Sequence, residues 1–328
     1  MKQTKNDRGI QIRRKIKTLF YGFVNMWRHY VRFVRNGNYD YYASQERFLA
    51  MFISNYHVIE KGLAMPNFEL GHTRDRVLLV CGDIVKYREL GFDTKNVQYQ
   101  SALQAVDSYR RIHDEAGYKL DTELREAIDK ALAGVDFEPH NQPETTCSEF
   151  FQRDIDFEKF ARSRHSVRDY SEREIPIEEL LHCADVARTT PTGCNRQPNK
   201  VYIVKNKDLI RKIANLQGGG RGFADRANAM LVITTRVEVF SYQEICESFK
   251  SGGMYAMNLL YALHDRQIGA CPLVWNERKE NDKKLRQWLG IGDNEEVVLL
   301  ISAGYPNERF KYVQSNRNAL EESVKVVE

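Results

Sequence analysis

The chain has 328 residues, enough for about two domains. Hydrophobic residues make up 42% and charged residues 29%, with 20 glycines and 8 prolines, which excludes collagen-like and disordered classes. Forty-nine basic residues against 45 acidic ones leave +4, too small an excess to mark the whole chain as a nucleic-acid binder.

Residues 1–40 hold ten Lys and Arg against Asp7 and Asp40, a local +8 that leaves −4 for the rest. Wound at about 100° per residue, residues 10–35 form a helix with Ile12, Ile16, Leu19, Phe23, Met26, Trp27, Tyr30 and Val34 on one stripe and Phe20 at its margin. Arg14, Lys17, Arg28, Arg32 and Arg35 fall opposite, and Asn36-Gly37 ends the helix. An aromatic-rich apolar face backed by cations suits an anionic membrane surface, because rings sit at the headgroup boundary while Lys and Arg meet phosphates. It equally suits a helix packed on its own domain or a partner subunit, with a solvated basic face. No nucleic-acid-binding motif accompanies the charge, so no nucleic acid is expected. No apolar run approaches the ~18 residues of a membrane span, and Leu19–Val24 does not lead into a small-residue cleavage site.

Helices are expected at 41–63, 73–90, 97–116 and 121–134, punctuated by Pro66-Asn67, Gly91-Phe92 and Gly117. The run Val77–Val80 with Ile84 and Val85 makes the second of these a buried helix. Residues 135–150, polar with Pro139 and Pro143, read as a linker. Beyond it, helices at 177–188, 207–215, 241–266 and 280–289 alternate with β-branched runs at 201–204, 230–234 and 297–301. The expected organisation is a basic amphipathic helix (1–40), a helical module and linker (41–150) and a sheet-containing domain (151–328). Six cysteines lack metal-ligand or disulfide spacing, so a reduced, cytoplasmic protein without a metal site is expected.

Four clusters can carry chemistry. Arg162-Ser-Arg-His-Ser-Val-Arg168 gathers guanidinium forks and hydroxyls suited to phosphate. Thr190-Pro-Thr-Gly-Cys-Asn-Arg-Gln-Pro198 lets backbone approach a ligand and supplies amides for a polar ring edge. Gly269-Ala-Cys-Pro-Leu-Val-Trp275 is a strand, and Gly304-Tyr-Pro306 precedes a tail bearing Arg317. His57 and Glu60, at i and i+3, read as a paired helix end or half of a metal site; no second pair makes a two-metal centre. Cys183 and Cys246 are expected in the core, and Cys194 and Cys271 as small packing residues.

The order of these clusters, over about residues 155–325, resembles the FMN-dependent nitroreductase family. The resemblance implies an α+β fold, a mixed sheet flanked by helices, with the helical module in front. It also implies a homodimer with FMN between subunits. On that basis Arg164, His165, Ser166 and Arg168 hold the phosphate and ribityl chain, and Arg317 supplies a further cation. Thr192, Gly193, Asn195 and Gln197 run along the flavin; Pro272, Leu273 and Val274 supply backbone beside its ring. The helix 253–264 (Gly253, Met257, Leu260, Tyr261, His264) resembles the family's dimer helix. Glu60–Pro66 is a candidate lid. The implied activity is ping-pong hydride transfer from NADH or NADPH through flavin N5 to a small organic acceptor, with no catalytic side chain named, since the cofactor performs the chemistry. Reductive dehalogenation, flavin fragmentation, or flavin sensing without turnover are the alternatives on the same fold. The family's aromatic after Gln-Pro is replaced by Asn199, and Gly218–Gly222 has no secure counterpart.

Overall fold

The structure, a computed structural model, describes residues 5–37, 40–63, 68–139, 156–241, 244, 246–275, 278–310, 312 and 320–328. Helix α1 (Lys5–Asn36) precedes a bundle of α2 (Gln45–Leu63), α3 (Arg74–Glu89), α4 (Val97–Glu115) and α5 (Thr122–Leu132). Side-chain caps start three of them, since Ser44 accepts from the Arg47 amide, Asn96 from that of Gln98 and Asp121 from that of Leu124. The bundle closes on its own core, in which Phe52, Tyr87 and Tyr99 are buried and the last two rings stack 4.8 Å apart. Burial raises the Tyr87 hydroxyl to about 12, and it donates to the Asp93 carbonyl at 3.1 Å. Within α3, Val77, Val80 and Ile84 are buried as expected, whereas Leu79 is 46% exposed because a helix turns each successive residue by about 100°.

Helices α6 (Phe157–Ser163) and α7 (Ile177–Ala187) lead into β1 (Asn199–Val204), α8 (Lys207–Gln217), β2 (Ala229–Arg236), α9 (Glu247–Asp265), β3 (Gly269–Val274), α10 (Lys279–Leu289) and β4 (Glu295–Gly304). The strands lie in the order β1-β2-β4-β3. Leu231 and Ile233 face a core built with α7 and α9, while Met230 and Val232 face one built with α8 and α10, so helices cover both sides. The α+β class is therefore as expected. The parallel pairing that a mixed sheet implies is not found among the described residues, where every pairing is antiparallel. The connection explains one pair: α8 runs away from the end of β1, and residues 218–227 return beside it, Lys207 Nζ donating to the Ala227 carbonyl at 3.2 Å. β2 thus starts where β1 stopped.

Helix α1 docks by its polar side. The guanidinium of Arg32, 7% exposed, donates to both oxygens of Glu296 at 2.8 and 2.9 Å and to Asp282 at 3.3 Å. Arg28 reaches Asp282 at 3.1 Å, and His29 Nδ1 lies 2.9 Å from Glu296. Phe33 joins Ala50 of α2 and Val237, Val239 and Phe240 after β2 in a small apolar cluster. Arg28 and Arg32, placed by the sequence on a solvated or lipid-facing basic side, are thus turned into the protein.

Candidate functional site

Residues 164–168 run extended along the outer edge of β3, the Val167 amide donating to the Ala270 carbonyl at 3.0 Å. Extended backbone alternates its side chains. Arg164, Ser166 and Arg168 turn to one side, around Cys271: burial pushes that thiol's pKa up, while charge from Arg168 and Arg164 and a hydrogen bond with Ser166 oppose the rise. Arg168 also lies 5.7 Å over the Phe223 ring. Among the described residues no carboxylate pairs with Arg164 or Arg168. Two cations and a hydroxyl on one face are a donor set for a dianion such as a phosphate monoester.

β3 supplies the next wall. It is an edge strand, so Pro272 costs the β4 ladder no hydrogen bond. Pro272 is exposed and Val274 is 80% exposed, leaving this strand open to a flat ligand or a partner. The glycine loop 218–222 arrives at the same place. Gln217 Nε2 donates to the Val274 carbonyl at 2.7 Å, and its Oε1 accepts from the Gly220 amide at 2.8 Å. A Cβ on Gly220 would meet the Cβ of Ala224 at 2.5 Å, so only glycine fits the turn that folds this loop back on itself, with Leu273 of β3 3.4 Å away. Gln217 had no chemical motif around it to mark its role.

His165 points the other way. Its ring is 4.5 Å from that of Tyr312, and it lines a cavity of about 560 Å³ with Ser163, His264 and Phe310. Ser163 Oγ is 2.8 Å from His264 Nε2, and burial, followed by the charges of Arg164 and His165, holds the His264 pKa down. Of the first cluster, then, the structure gathers Arg164, Ser166 and Arg168 around Cys271, the residue before Pro272 on β3, and sets His165 apart. Arg317 and residues 64–66 of the candidate lid lie outside the described residues.

Thr192, Gly193, Asn195 and Gln197 sit elsewhere. Their loop enters β1, the opposite edge of the sheet from β3. With strands about 4.8 Å apart, three steps put the two edges roughly 14 Å from each other. The loop is tightly built: Cys194, Asn195 and Gln197 hold positive φ values of 52°, 55° and 50°, and Thr192 Oγ1 accepts from the Gln197 amide. Such backbone persists only where surroundings enforce it. Arg196, 7% exposed, does so by donating to the Gly193 and Val239 carbonyls and to Glu244, whose pKa those hydrogen bonds lower to about 2. Helix α2 packs against the same loop, and Gln45, Gln98, Gln197 and Arg236 line a cavity of about 310 Å³ between them. Cys194 and Cys246 are exposed, contrary to expectation, Cys194 because the αL turn aims it outward; Cys183 and Cys271 are buried. His57 Nδ1 lies 2.9 Å from Glu60, the paired helix end. On α9, Met254 and Met257 are exposed, but Leu260 faces the core.

Gly269→Ala is expected to destabilise the protein by about 1–3 kcal/mol, the cost of overpacking, because its Cβ would fall 2.7 Å from Val167. Gly253→Ala, with nothing within 4 Å of the added carbon, serves as control. Equal urea midpoints for the two variants would refute the close approach.

Comparison with known proteins gives three kinds of match. The model of the Nitroreductase family matches residues 161–220 and 215–305. A putative NADH dehydrogenase/NAD(P)H nitroreductase of Archaeoglobus fulgidus is 25% identical over 159 residues, 48% of this chain and 90% of that protein. An iodotyrosine deiodinase of Hydra vulgaris is 25% identical over 250 residues, covering 65% of this chain and 89% of its own. Among solved structures, a putative nitroreductase in complex with FMN from Desulfovibrio desulfuricans aligns with 54% of this chain and 99% of its own at 20% identity, with a TM-score of 0.45.

Proposed function

Residues 161–305 belong to the nitroreductase family, and from that premise we propose that the protein is an FMN-dependent oxidoreductase that takes hydride from NADH or NADPH and passes it to a small organic acceptor. The observation that carries this reading is the face formed by Arg164, Ser166 and Arg168, two cations and a hydroxyl that no carboxylate among the described residues neutralises. These residues would hold the FMN phosphate, and the exposed edge of β3 from Pro272 to Val274 would lie beside its ring. FMN supplies the hydride chemistry; the protein binds, orients and shields it.

The chain acts as a homodimer in this reading. The loop 192–197 and the segment 164–168 occupy opposite edges of one sheet, so both meet a single mononucleotide readily when one comes from each chain. The exposed Met254 and Met257 on α9 offer an apolar surface for that pairing. The reading places the protein in the cytoplasm, with the nicotinamide donor.

The test is anaerobic reduction. The purified protein is expected to be yellow and to bleach with NADH or NADPH, then recover its colour with a nitroaromatic acceptor. A colourless protein that takes up no added FMN refutes the flavin; a yellow one that nicotinamide leaves oxidised refutes the reductase. A second reading, reductive dehalogenation, is favoured by the Hydra deiodinase aligning with more of this chain than the Archaeoglobus nitroreductase does. Halide release from a halogenated phenol, with no recovery of colour by nitroaromatics, would single it out.

A further inference from the structure

We propose that α1 is a membrane-surface helix that lies on an anionic bilayer with its apolar stripe, held rigidly to the protein by the opposite side. Amphipathic helices of globular proteins ordinarily bury the apolar face. Helix α1 does the reverse. Its docked side carries Arg28, His29, Arg32 and Asn36, with Phe33 the one buried apolar side chain among its described residues. The stripe opposite is open along its length: Ile12, Ile16, Leu19, Phe20, Phe23 and Met26 are each 59–67% exposed, and Trp27, Tyr30 and Val34 follow at 47–53%. From Ile12 to Val34 this spans about 33 Å at 1.5 Å per residue. Phe23, Trp27 and Tyr30 form a contiguous aromatic row, with ring centroids 6.2 and 5.5 Å apart.

Charge selects the occupant. Residues 1–27 contain seven Lys and Arg and the single acid Asp7, and no carboxylate occurs from Arg8 to Tyr39. Arg13 is exposed at the margin of the stripe, and Lys17 is exposed further round the helix. Pairing this helix with its copy in a second chain would bring like charges together, whereas an anionic headgroup layer neutralises them while the rings enter the acyl boundary. No helix among the described residues is long and apolar enough to cross a membrane, so the helix lies on the surface. This inference is independent of the flavin.

The experiment uses the full-length protein and vesicles of phosphatidylcholine with or without phosphatidylglycerol. Co-sedimentation is expected to be at least about tenfold stronger with phosphatidylglycerol and to weaken as salt rises. Binding should turn Trp27 emission blue, a shift that Trp27→Phe abolishes although Trp275 and Trp288 remain. Phe23→Ser with Trp27→Ser, both at exposed positions, should cut vesicle binding about tenfold or more. No co-sedimentation of the wild type, or undiminished binding of the double variant, overturns the proposal. So does a wild type that ignores vesicles but dissociates into smaller species in the double variant, which would assign the stripe to a second copy.

Discussion

Arg32→Ala is expected to lower stability by about 3–5 kcal/mol, the range for removing one partner from a buried ion pair. The magnitude follows from what the substitution leaves behind. Glu296 and Asp282 are 4% and 5% exposed, and Arg32 spans both. Without it Glu296 keeps His29, and Asp282 keeps Arg28 and Arg286, each group under-neutralised away from water. Arg32→Lys should recover only part of the loss, since an ammonium cannot reproduce the fork on the Glu296 carboxylate. Urea unfolding gives the global effect, and amide exchange along α1 reports its release. A loss under about 1 kcal/mol would mean that the pair behaves like an exposed one.

The same contacts predict an acid limit. Burial alone would raise the pKa of Glu296 and of Asp282. The His29 hydrogen bond and the Arg32 charge outweigh it for Glu296, as Arg286, Arg32 and Arg28 do for Asp282, so both end below their usual values. A depressed folded pKa means that docking is fully stabilised above the unfolded values of about 4.3 and 3.9. It is lost as pH falls through the folded ones. Trp275 reports on this, its indole Nε1 lying 3.4 Å from Asp282. Trp275 emission should change below about pH 4 in the wild type. A profile flat down to global unfolding would refute the linkage.

Arg164→Ala is expected to weaken FMN binding by about 1.5–3 kcal/mol, roughly 10- to 150-fold, the scale of a charge-assisted hydrogen bond. Quenching of flavin fluorescence on titration measures it. Unchanged affinity would remove Arg164 from the phosphate site. The two-chain reading adds a sharper expectation. Mixed subunits carrying Arg164→Ala on one chain and Asn195→Ala on the other should form one intact site per heterodimer and regain the wild-type flavin affinity that each variant alone loses. No recovery would place both residues in one chain's site, against their position on opposite sheet edges.

Much of the fold was legible because periodicity is a local property. The helices at 41–63, 73–90 and 97–116 and the strands at 230–234 and 297–301 appear close to where the apolar spacing put them. That 164–168 lies along β3, against Ala270 and Cys271, was expected from the family resemblance alone. His165 was grouped with its neighbours, yet the alternation of extended backbone sends it to the Tyr312 side. Arg196 lies inside the 190–198 cluster, but its role under the 193–197 loop depends on Glu244, 48 residues away. Residue pairs that distant leave no periodic trace.

Helix α1 shows the division most clearly. Its stripe and its cations follow from the sequence by themselves, because a 100° turn per residue assigns every side chain to a face whatever surrounds it. Which face turns inward was decided only by tertiary structure. Asp282, Glu296 and Asp293 lie some 250 residues further along the chain, and β4 and α10 must form before their carboxylates can draw Arg28 and Arg32 in. Ion pairing at that separation is a property of the assembled sheet, and it is what leaves the apolar face outward.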